Sequence, residues 1–430
     1  MPVALRRALN ALISNKYQLP VMTLLDERWL LPEGVAETLP PVAERLERAR
    51  RDLLDLYSSW GYRLVTPPLV EHLESLLIGA SADLEQQTFK LTDPLSGRLI
   101  GVRADMTPQV ARIDARYMPQ NCAVRLCYLG TILRTRADGP GGSRSPMQVG
   151  AELYGHAGIE SDCEAISLMV ATLDRVGVPN VHLDLGHVGV FRILVVQAKL
   201  DARRELDLLE AMQRKAGADV DEVLAGVGDA KARGHLRALI DLNGGPEALD
   251  EARRVLADAG EAVLRCIDDL ARLVKLLQGR GVRLPVHFDL AELRGYRYHT
   301  GAVFAAFVPG LGQEVARGGR YDDIERVYGA PRAATGFSSD LKTLVSLAGD
   351  PHRQEPSLIE APWCDERKLL AAVEILRASG ERVVFALPTG TGRDDVDRNT
   401  GVGDGVSRKM HLNSDGDWVV VNTQAEQLPK

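Results

Sequence analysis

The stretch Arg332-Ala333-Ala334-Thr335-Gly336-Phe337-Ser338-Ser339-Asp340-Leu341-Lys342-Thr343-Leu344 decides how this chain folds. Its first half reads as a strand and its second half as the opening of an apolar helix. Just before it stands Gly318-Gly319-Arg320-Tyr321-Asp322, a glycine-rich strand end. Strand signals recur outward from here at 313–317, 300–308, 285–290 and 180–186. Two more, at 123–133 and 147–155, flank the loop Ala137-Asp138-Gly139-Pro140-Gly141-Gly142 and predict a long antiparallel hairpin. Residues 88–103 alternate around Asp93-Pro94 and Ser96-Gly97, a second hairpin signal.

Helices frame these strands. Pro32-Glu33-Gly34 is loop chemistry, and an amphipathic helix follows from about Pro41 to Trp60, with Leu46, Leu53, Leu54 and Tyr57 at helical spacing. Residues 61–70 read as a strand whose Pro67 and Pro68 put it at an edge or at a strand's end. The segment 191–280 is helix-rich. Within it Val263, Ile267, Leu270, Val274 and Leu277 make one stripe that ends at Gly279 as a C-cap, the packed face of a helical insertion. After Asp350 comes a polar, proline-bearing linker, 351–364. The remainder, 365–430, predicts a small α/β domain with a helix at about 365–379, a strand at 381–387 and a hairpin turning at Asp415-Gly416.

An apolar fraction of 45% and a charged fraction of 26% are those of an ordinary soluble globular protein. The net charge of −7 speaks against a nucleic-acid partner, because phosphate binding leaves a basic footprint. The five cysteines are odd in number and form no CxxC pair, which fits a reducing cytoplasm, buried thiols and no zinc site. No apolar run approaches the ~18–20 residues of a membrane span. Arg6 and Arg7 precede an apolar stretch that Asn10 interrupts, a poor signal peptide. Residues 1–21 read as an appended tail, with Met22 as an alternative start.

The histidines lack metal-site spacing, and Asp395-Val396-Asp397-Arg398-Asn399 lacks the glycine and glutamate of a calcium loop. Thr389-Gly390-Thr391-Gly392 has no Lys-Ser/Thr pair and so is not a P-loop. Neither a metal nor a cofactor is expected.

Three segments carry candidate chemistry. The first is Val102-Arg103-Ala104-Asp105-Met106-Thr107. The second runs from Leu133-Arg134-Thr135-Arg136 through the glycine loop to Gln148, Gly150 and Glu152, which alternate on one strand face. The third is Arg294-Gly295-Tyr296-Arg297-Tyr298-His299, running on to Val303-Phe304. Read alone, Asp105 serves equally as a first-turn acid ahead of Pro108, Glu152 as a surface strand acid and Tyr298 as a core aromatic.

Together these segments resemble class II aminoacyl-tRNA synthetases, most closely histidyl-tRNA synthetase, over roughly residues 28–350. The helix and strand over 41–70 are similar to the first class II motif, which implies a homodimer interface. The resemblance makes Asp105 the carboxylate that grips the histidine ammonium. It puts Gln148 and Glu152 in the histidine pocket and Arg134 at the α-phosphate. The third segment resembles the histidine-specific Arg-Gly-Leu-Asp-Tyr-Tyr motif, with Arg297 replacing the aspartate and His299 the second tyrosine. It implies that Arg294 and Gln148 face the carboxylate of histidine, and that Tyr298, His299 and Tyr321 wall the ring. Glutamate beside an imidazole can accept a ring N–H or pair with an imidazolium.

The quoted stretch itself resembles the third class II motif, whose helix begins with an acidic residue and the arginine that holds the ATP phosphates. Here those positions carry Lys342 and Thr343, and Arg136 stands where the second motif has an acid. A threonine hydroxyl cannot replace a charged planar fork against a triphosphate. The tail is also shorter than the synthetase's anticodon-binding domain and is not strongly basic.

A kept histidine pocket with degraded ATP and tRNA elements resembles the regulatory subunit of ATP phosphoribosyltransferase. The fold expected is α+β, a class II synthetase-like, mostly antiparallel sheet flanked by helices over 22–350. The insertion is expected at 191–280 and the small domain at the end. The resemblance implies no catalysis by the chain itself, free histidine as ligand, and a homodimer core within a hetero-oligomer with a short-form catalytic subunit. It implies no tRNA and no membrane partner. Two other readings stay open: a histidyl-tRNA synthetase, and a histidine sensor with a different partner.

Overall fold

The structure is a computed structural model that describes residues 30–77, 82–137, 139, 142–322, 331–349, 357–388 and 406–422. Contacts divide the chain into two compact units, Met1–Gly349 and Asp350–Lys430. The appended tail, the calcium-like loop and the Thr389–Gly392 run lie outside the described residues.

The first unit opens with helix α1 (Val42–Ser59), which buries Leu46, Leu53, Leu56 and Tyr57 on one stripe. Strands β1 (Arg63–Leu64) and β2 (Val70–His72) follow, then short helices α2 (Leu73–Leu76) and α3 (Ala82–Gln87). Residues 61–70 are thus not one strand. Pro67 and Pro68 carry no N–H to donate, so the ladder stops and restarts in another sheet. Strands β3 (Phe89–Thr92) and β4 (Leu99–Val102) form the expected hairpin and pair with β2 in a three-stranded sheet, order β2-β4-β3.

Helix α4 (Thr107–Tyr117) leads to the long antiparallel hairpin β5 (Val124–Thr131) and β6 (Met147–Tyr154), and then to helix α5 (Ile159–Val176). Strand β7 (His182–His187) enters the insertion, which holds α6 (Val188–Gln197), α7 (Ala202–Gln213), α8 (Gly217–Leu224) and α9 (Ala230–Ala238). It continues with β8 (Asn243–Gly244), α10 (Glu247–Val255) and α11 (Glu261–Gly279). The stripe on α11 faces the core, with Val263, Ile267, Leu270 and Leu277 buried. Gly279 is still helical. The left-handed residue that stops the helix is Gly281 at φ +83°, beyond which Val282 N returns to Leu277 O.

Strands β9 (Val286–Asp289), β10 (Ala302–Phe307), β11 (Ala316–Arg320) and β12 (Ala334–Asp340) complete a nine-stranded sheet of order β1-β5-β6-β12-β11-β10-β7-β9-β8. Its pairings are antiparallel except β1 with β5 and β7 with β9. Helix α12 (Leu341–Leu347) closes the unit. This is the α+β, mostly antiparallel arrangement expected from the sequence.

The two sheet faces have different cores. One carries the large cluster in which Tyr57 meets Phe337 edge to face while α1, α5 and α11 cover the strands. The other carries a small cluster of Met106, Val110, Tyr128, Tyr154 and Tyr321 beneath α4. Arg45 of α1 donates to Val345 O and Ala348 O at 2.9 Å, satisfying the carbonyls that end α12.

In the second unit, β13 (Leu358–Ala361), α13 (Arg367–Ala378), β14 (Val383–Phe385), β15 (Val406–Leu412) and β16 (Trp418–Asn422) form a four-stranded sheet of order β14-β13-β15-β16. The presumed linker 351–364 therefore contains a strand, and its Ile359 and Ala361 are core residues. Cys127, Cys163 and Cys266 are buried, whereas Cys122 and Cys364 are exposed and correct the expectation of buried thiols throughout. Among the described residues no helix is long and apolar enough to cross a membrane, and no cluster of histidine, cysteine and acids could hold a metal.

Leu53 is fully buried between α1 and the sheet. Leu53→Ala is expected to lower the stability of the first unit by about 2–5 kcal/mol, read by urea unfolding of the full chain.

Candidate functional site

A cavity of about 420 Å3 opens on the face of the sheet beneath α4. Two glycines in neighbouring strands make room for the polar side chains at and behind its wall. Tyr128 of β5 is paired with Gly150 of β6, and Glu152 of β6 with Gly336 of β12. A Cβ on Gly336 would overlap the Glu152 carboxylate and lie 2.6 Å from Ala151 O. The room at Gly150 is taken by Tyr128, whose ring a Cβ there would strike.

Glu152 is 1% exposed and is met by three hydroxyls. Tyr128 and Thr107 donate to Oε1 at 2.9 and 3.1 Å, and Tyr321 donates to Oε2. Burial dominates and lifts its pKa to about 8. The hydroxyl donors pull the other way, and the Asp105 charge adds to the rise. The Tyr298 ring stacks on Tyr321 with centroids 4.9 Å apart, and His299 meets Tyr298 edge to face. These aromatic groups line the cavity beside Glu152.

Asp105 lines the cavity half-buried, two residues before Thr107, which touches Glu152. Its Oδ1 accepts Thr107 N at 2.9 Å and Gln148 Nε2 at 2.8 Å. Gln148 Oε1 in turn accepts Met106 N at 2.9 Å. Gln148 is therefore absent from the cavity wall. Both ends of its amide are spent on fixing the Asp105 segment to β6, so it does not face a ligand carboxylate as expected.

Arg294 does line the cavity but is already paired. Glu292 takes its Nε and Nη2 at 2.9 and 2.6 Å, and Glu314 takes Nη1 at 2.6 Å. The Glu292 hydrogen bond is the main reason its guanidinium pKa is raised. Arg317 joins Glu314 from the other side at 3.0 Å. Arg134 reaches the wall with Nε 3.3 Å from Ala104 O.

The structure thus brings together Asp105, Arg134, Glu152, Arg294, Tyr298, His299 and Tyr321, and leaves out Gln148. The third-motif positions also point elsewhere. Asp340 caps α12 and accepts Thr343 Oγ1 at 2.8 Å, while Lys342 Nζ donates to Ser145 O at 2.9 Å. Neither Lys342 nor Thr343 is part of the cavity wall, and Arg136 reaches instead toward Gln86.

Sequence reading missed Tyr128, Thr107, Glu292 and Glu314. Tyr128 and the Glu152 slot were signalled by Gly150 and Gly336, two glycines at strand positions where β-propensity argues against them. Glu292 and Glu314 sit far apart in sequence and are joined only by Arg294.

His299 keeps some exposure, but desolvation of its ring lowers its pKa to about 4, so the folded protein holds it neutral down to that pH. The unfolded chain takes up the proton from about pH 6.5 downward, so wild-type stability falls as pH drops from 6.5 toward 4. His299→Gln lacks this loss. The stability gap between the two proteins is expected to close by at most about 1.4 kcal/mol per pH unit, read by urea unfolding at pH 7, 6 and 5.

Comparison with known proteins agrees with this geometry. The family described as histidyl-tRNA synthetase matches residues 34–344, and that described as ATP phosphoribosyltransferase subunit HisZ C-terminal domain matches residues 356–421. An ATP phosphoribosyltransferase regulatory subunit of Thioalkalivibrio sulfidiphilus is 55% identical over 92% of this chain and 99% of that protein. One from Alkalilimnicola ehrlichii is 55% identical over 92% of this chain and 97% of that protein. A crystal structure described as an ATP phosphoribosyltransferase regulatory subunit/histidyl-tRNA synthetase from Bacillus halodurans superposes with a TM-score of 0.74 at 28% identity, covering 86% of this chain and 95% of that one. With a synthetase-like sheet, a degraded third motif and a C-terminal unit of the second kind, this chain belongs to the ATP phosphoribosyltransferase regulatory subunit family.

Proposed function

We propose that the chain is the non-catalytic, histidine-binding subunit of an ATP phosphoribosyltransferase, acting in the first step of histidine biosynthesis in the cytoplasm. It works with a short-form catalytic subunit and carries the feedback signal. The observation that supports this most is how the first unit divides its polar groups. Groups suited to histidine share one cavity, whereas the helix start that would hold ATP phosphates is sealed by its own hydrogen bonds.

The cavity wall also disfavours a nucleoside triphosphate. It presents four carboxylates, Asp105, Glu152, Glu292 and Glu314, against three guanidiniums. Two of those, Arg294 and Arg317, are already committed to glutamates. A triphosphate would meet like charge there, and neither committed guanidinium offers it an open fork.

Free histidine fits better. Asp105, held by two N–H donors, suits the ammonium, and Glu152 with Tyr298 and Tyr321 suits the ring. Arg134 and Arg294 are the wall cations proposed for its carboxylate, each by exchanging a present partner. The homodimer is proposed for the segment 41–70, where Leu64, Leu69 and Val70 are exposed.

The isolated chain is expected to show no histidine-dependent ATP–pyrophosphate exchange, since losing one charged donor at a reacting phosphate commonly costs ~10²–10³ in rate. Exchange well above background would make it a synthetase.

In the complex reconstituted with its catalytic subunit, Glu152→Ala is expected to move the histidine inhibition curve several-fold to higher concentration, a coupling loss of ~1–3 kcal/mol. An unchanged curve would put the regulatory histidine elsewhere.

A further inference from the structure

The segment between β9 and β10 serves two neighbours at once. Its Arg294, Tyr298 and His299 line the cavity. Leu293 and Tyr296, interleaved with them, are buried in the large core cluster. Tyr296 meets Phe191 of α6 edge to face with centroids 5.1 Å apart, and Arg192 lies over the same ring.

Helix α7 of the insertion holds this segment from both of its ends. In the first turn Glu205 accepts the Tyr296 hydroxyl at 2.9 Å. At the last residue Gln213 donates to Leu293 O at 3.1 Å, and Lys215 just beyond pairs with Asp289 at 2.7 Å. Among the described residues, every side-chain hydrogen bond that leaves the insertion from α7 or Lys215 ends on residues 289–296. Helix α6 adds a further hold, with Arg192 Nη2 donating to Tyr296 O and His299 O at 3.1 and 2.8 Å.

Arg294 cannot change partners without disturbing this turn. Glu292 binds its guanidinium and also accepts its backbone N–H at 2.9 Å. Between them stands Leu293, whose carbonyl accepts both Gln213 and Tyr296 N. A ligand carboxylate that draws Arg294 from Glu292 or Glu314 thus reorders the residues that α7 grips. Ligand contacts order the segment from the cavity side, as α7 does from the other, and two holds on one segment reinforce each other.

On the reading that the cavity holds histidine, we propose that α7 is the element through which the insertion senses the ligand. An occupied cavity tightens residues 289–296 against α7, and a latched α7 favours the occupied cavity. The opposite face of α7 lines a groove of about 390 Å3 with α8, through Arg204, Asp207, Glu210 and Arg214, so the change reaches the protein surface. Coupling of this kind is reciprocal. The factor by which histidine protects α7 from opening is the factor by which loss of the latch weakens histidine binding.

The test is hydrogen–deuterium exchange, with isothermal titration calorimetry, on the full chain and L-histidine. Saturating histidine is expected to slow exchange of the 203–213 amides about fivefold or more. Tyr296→Phe/Lys215→Met removes two of the three links to α7 and keeps the ring packing against Phe191. In this variant the α7 amides should stop responding to histidine, and histidine should bind more weakly by about the same factor. Tyr296→Phe alone should show a smaller loss in the same direction. A purely structural latch would speed α7 exchange equally with and without histidine and leave their ratio unchanged. That result, or histidine binding to the wild type with no change at α7, would overturn the proposal while leaving the histidine reading intact. No binding by the wild type would overturn both.

Discussion

A carboxylate buried at the centre of a sheet is the constraint around which the rest of the first unit is arranged. Glu152 has strands on both sides, so its carboxylate needs room from the strand opposite and donors from the layer above. Gly336 supplies the room by having no side chain. Tyr128, Tyr321 and Thr107 supply the donors, each from a different segment. An unsatisfied buried carboxyl would cost several kcal/mol, so all three segments must close together. The two central antiparallel pairings, β5 with β6 and β6 with β12, are thereby fixed in register by chemistry as well as by hydrophobic pattern.

A second buried knot holds the aromatic wall against this centre. Arg320 sends its guanidinium to the N-terminal end of α5, where Asp162, Ser161 and Gly158 O receive it at 2.8–3.1 Å. Its carbonyl accepts Thr300 N at 2.7 Å and lies 3.3 Å from His299 Nδ1. The next residue is Tyr321, the donor to Glu152. One arginine thus connects the helix that covers the apolar face to the segment that walls the cavity. The polar and apolar faces of the sheet cannot shift independently.

The sequence made the periodic parts of this arrangement legible. The strands 123–133 and 147–155, the stripe on α11 and the hairpin at Asp415-Gly416 all rest on local pattern, and local pattern survives folding. The parts that were not legible depend on partners distant in the chain. Gln148 looked like a pocket residue because it shares a strand face with Glu152. Its amide is instead consumed by Met106 and Asp105, some 40 residues earlier. Arg294 looked like a free carboxylate binder, and Glu292 beside it gave a hint, but Glu314 closes the pair from another strand connection. Residues 61–70 and 351–364 failed for a different reason. Proline signals a break in pairing without telling whether the chain leaves a sheet or enters a new one.

The start of α12 shows how a synthetase-like scaffold can lose its phosphate contact without losing its fold. A helix N-terminus needs its free N–H groups satisfied, and Asp340 does this for Lys342 N while also accepting Met147 N from β6. Thr343 turns back onto the same aspartate, and Lys342 reaches across to Ser145 O. Each of these groups would otherwise present polar atoms to a ligand. Here they join β6, β12 and α12 at the end of the sheet away from Glu152. Arginine at residue 343 would have to leave this network to reach a phosphate, whereas threonine completes it. The residues that would have served ATP are thus the ones that hold together the two strands flanking the cavity.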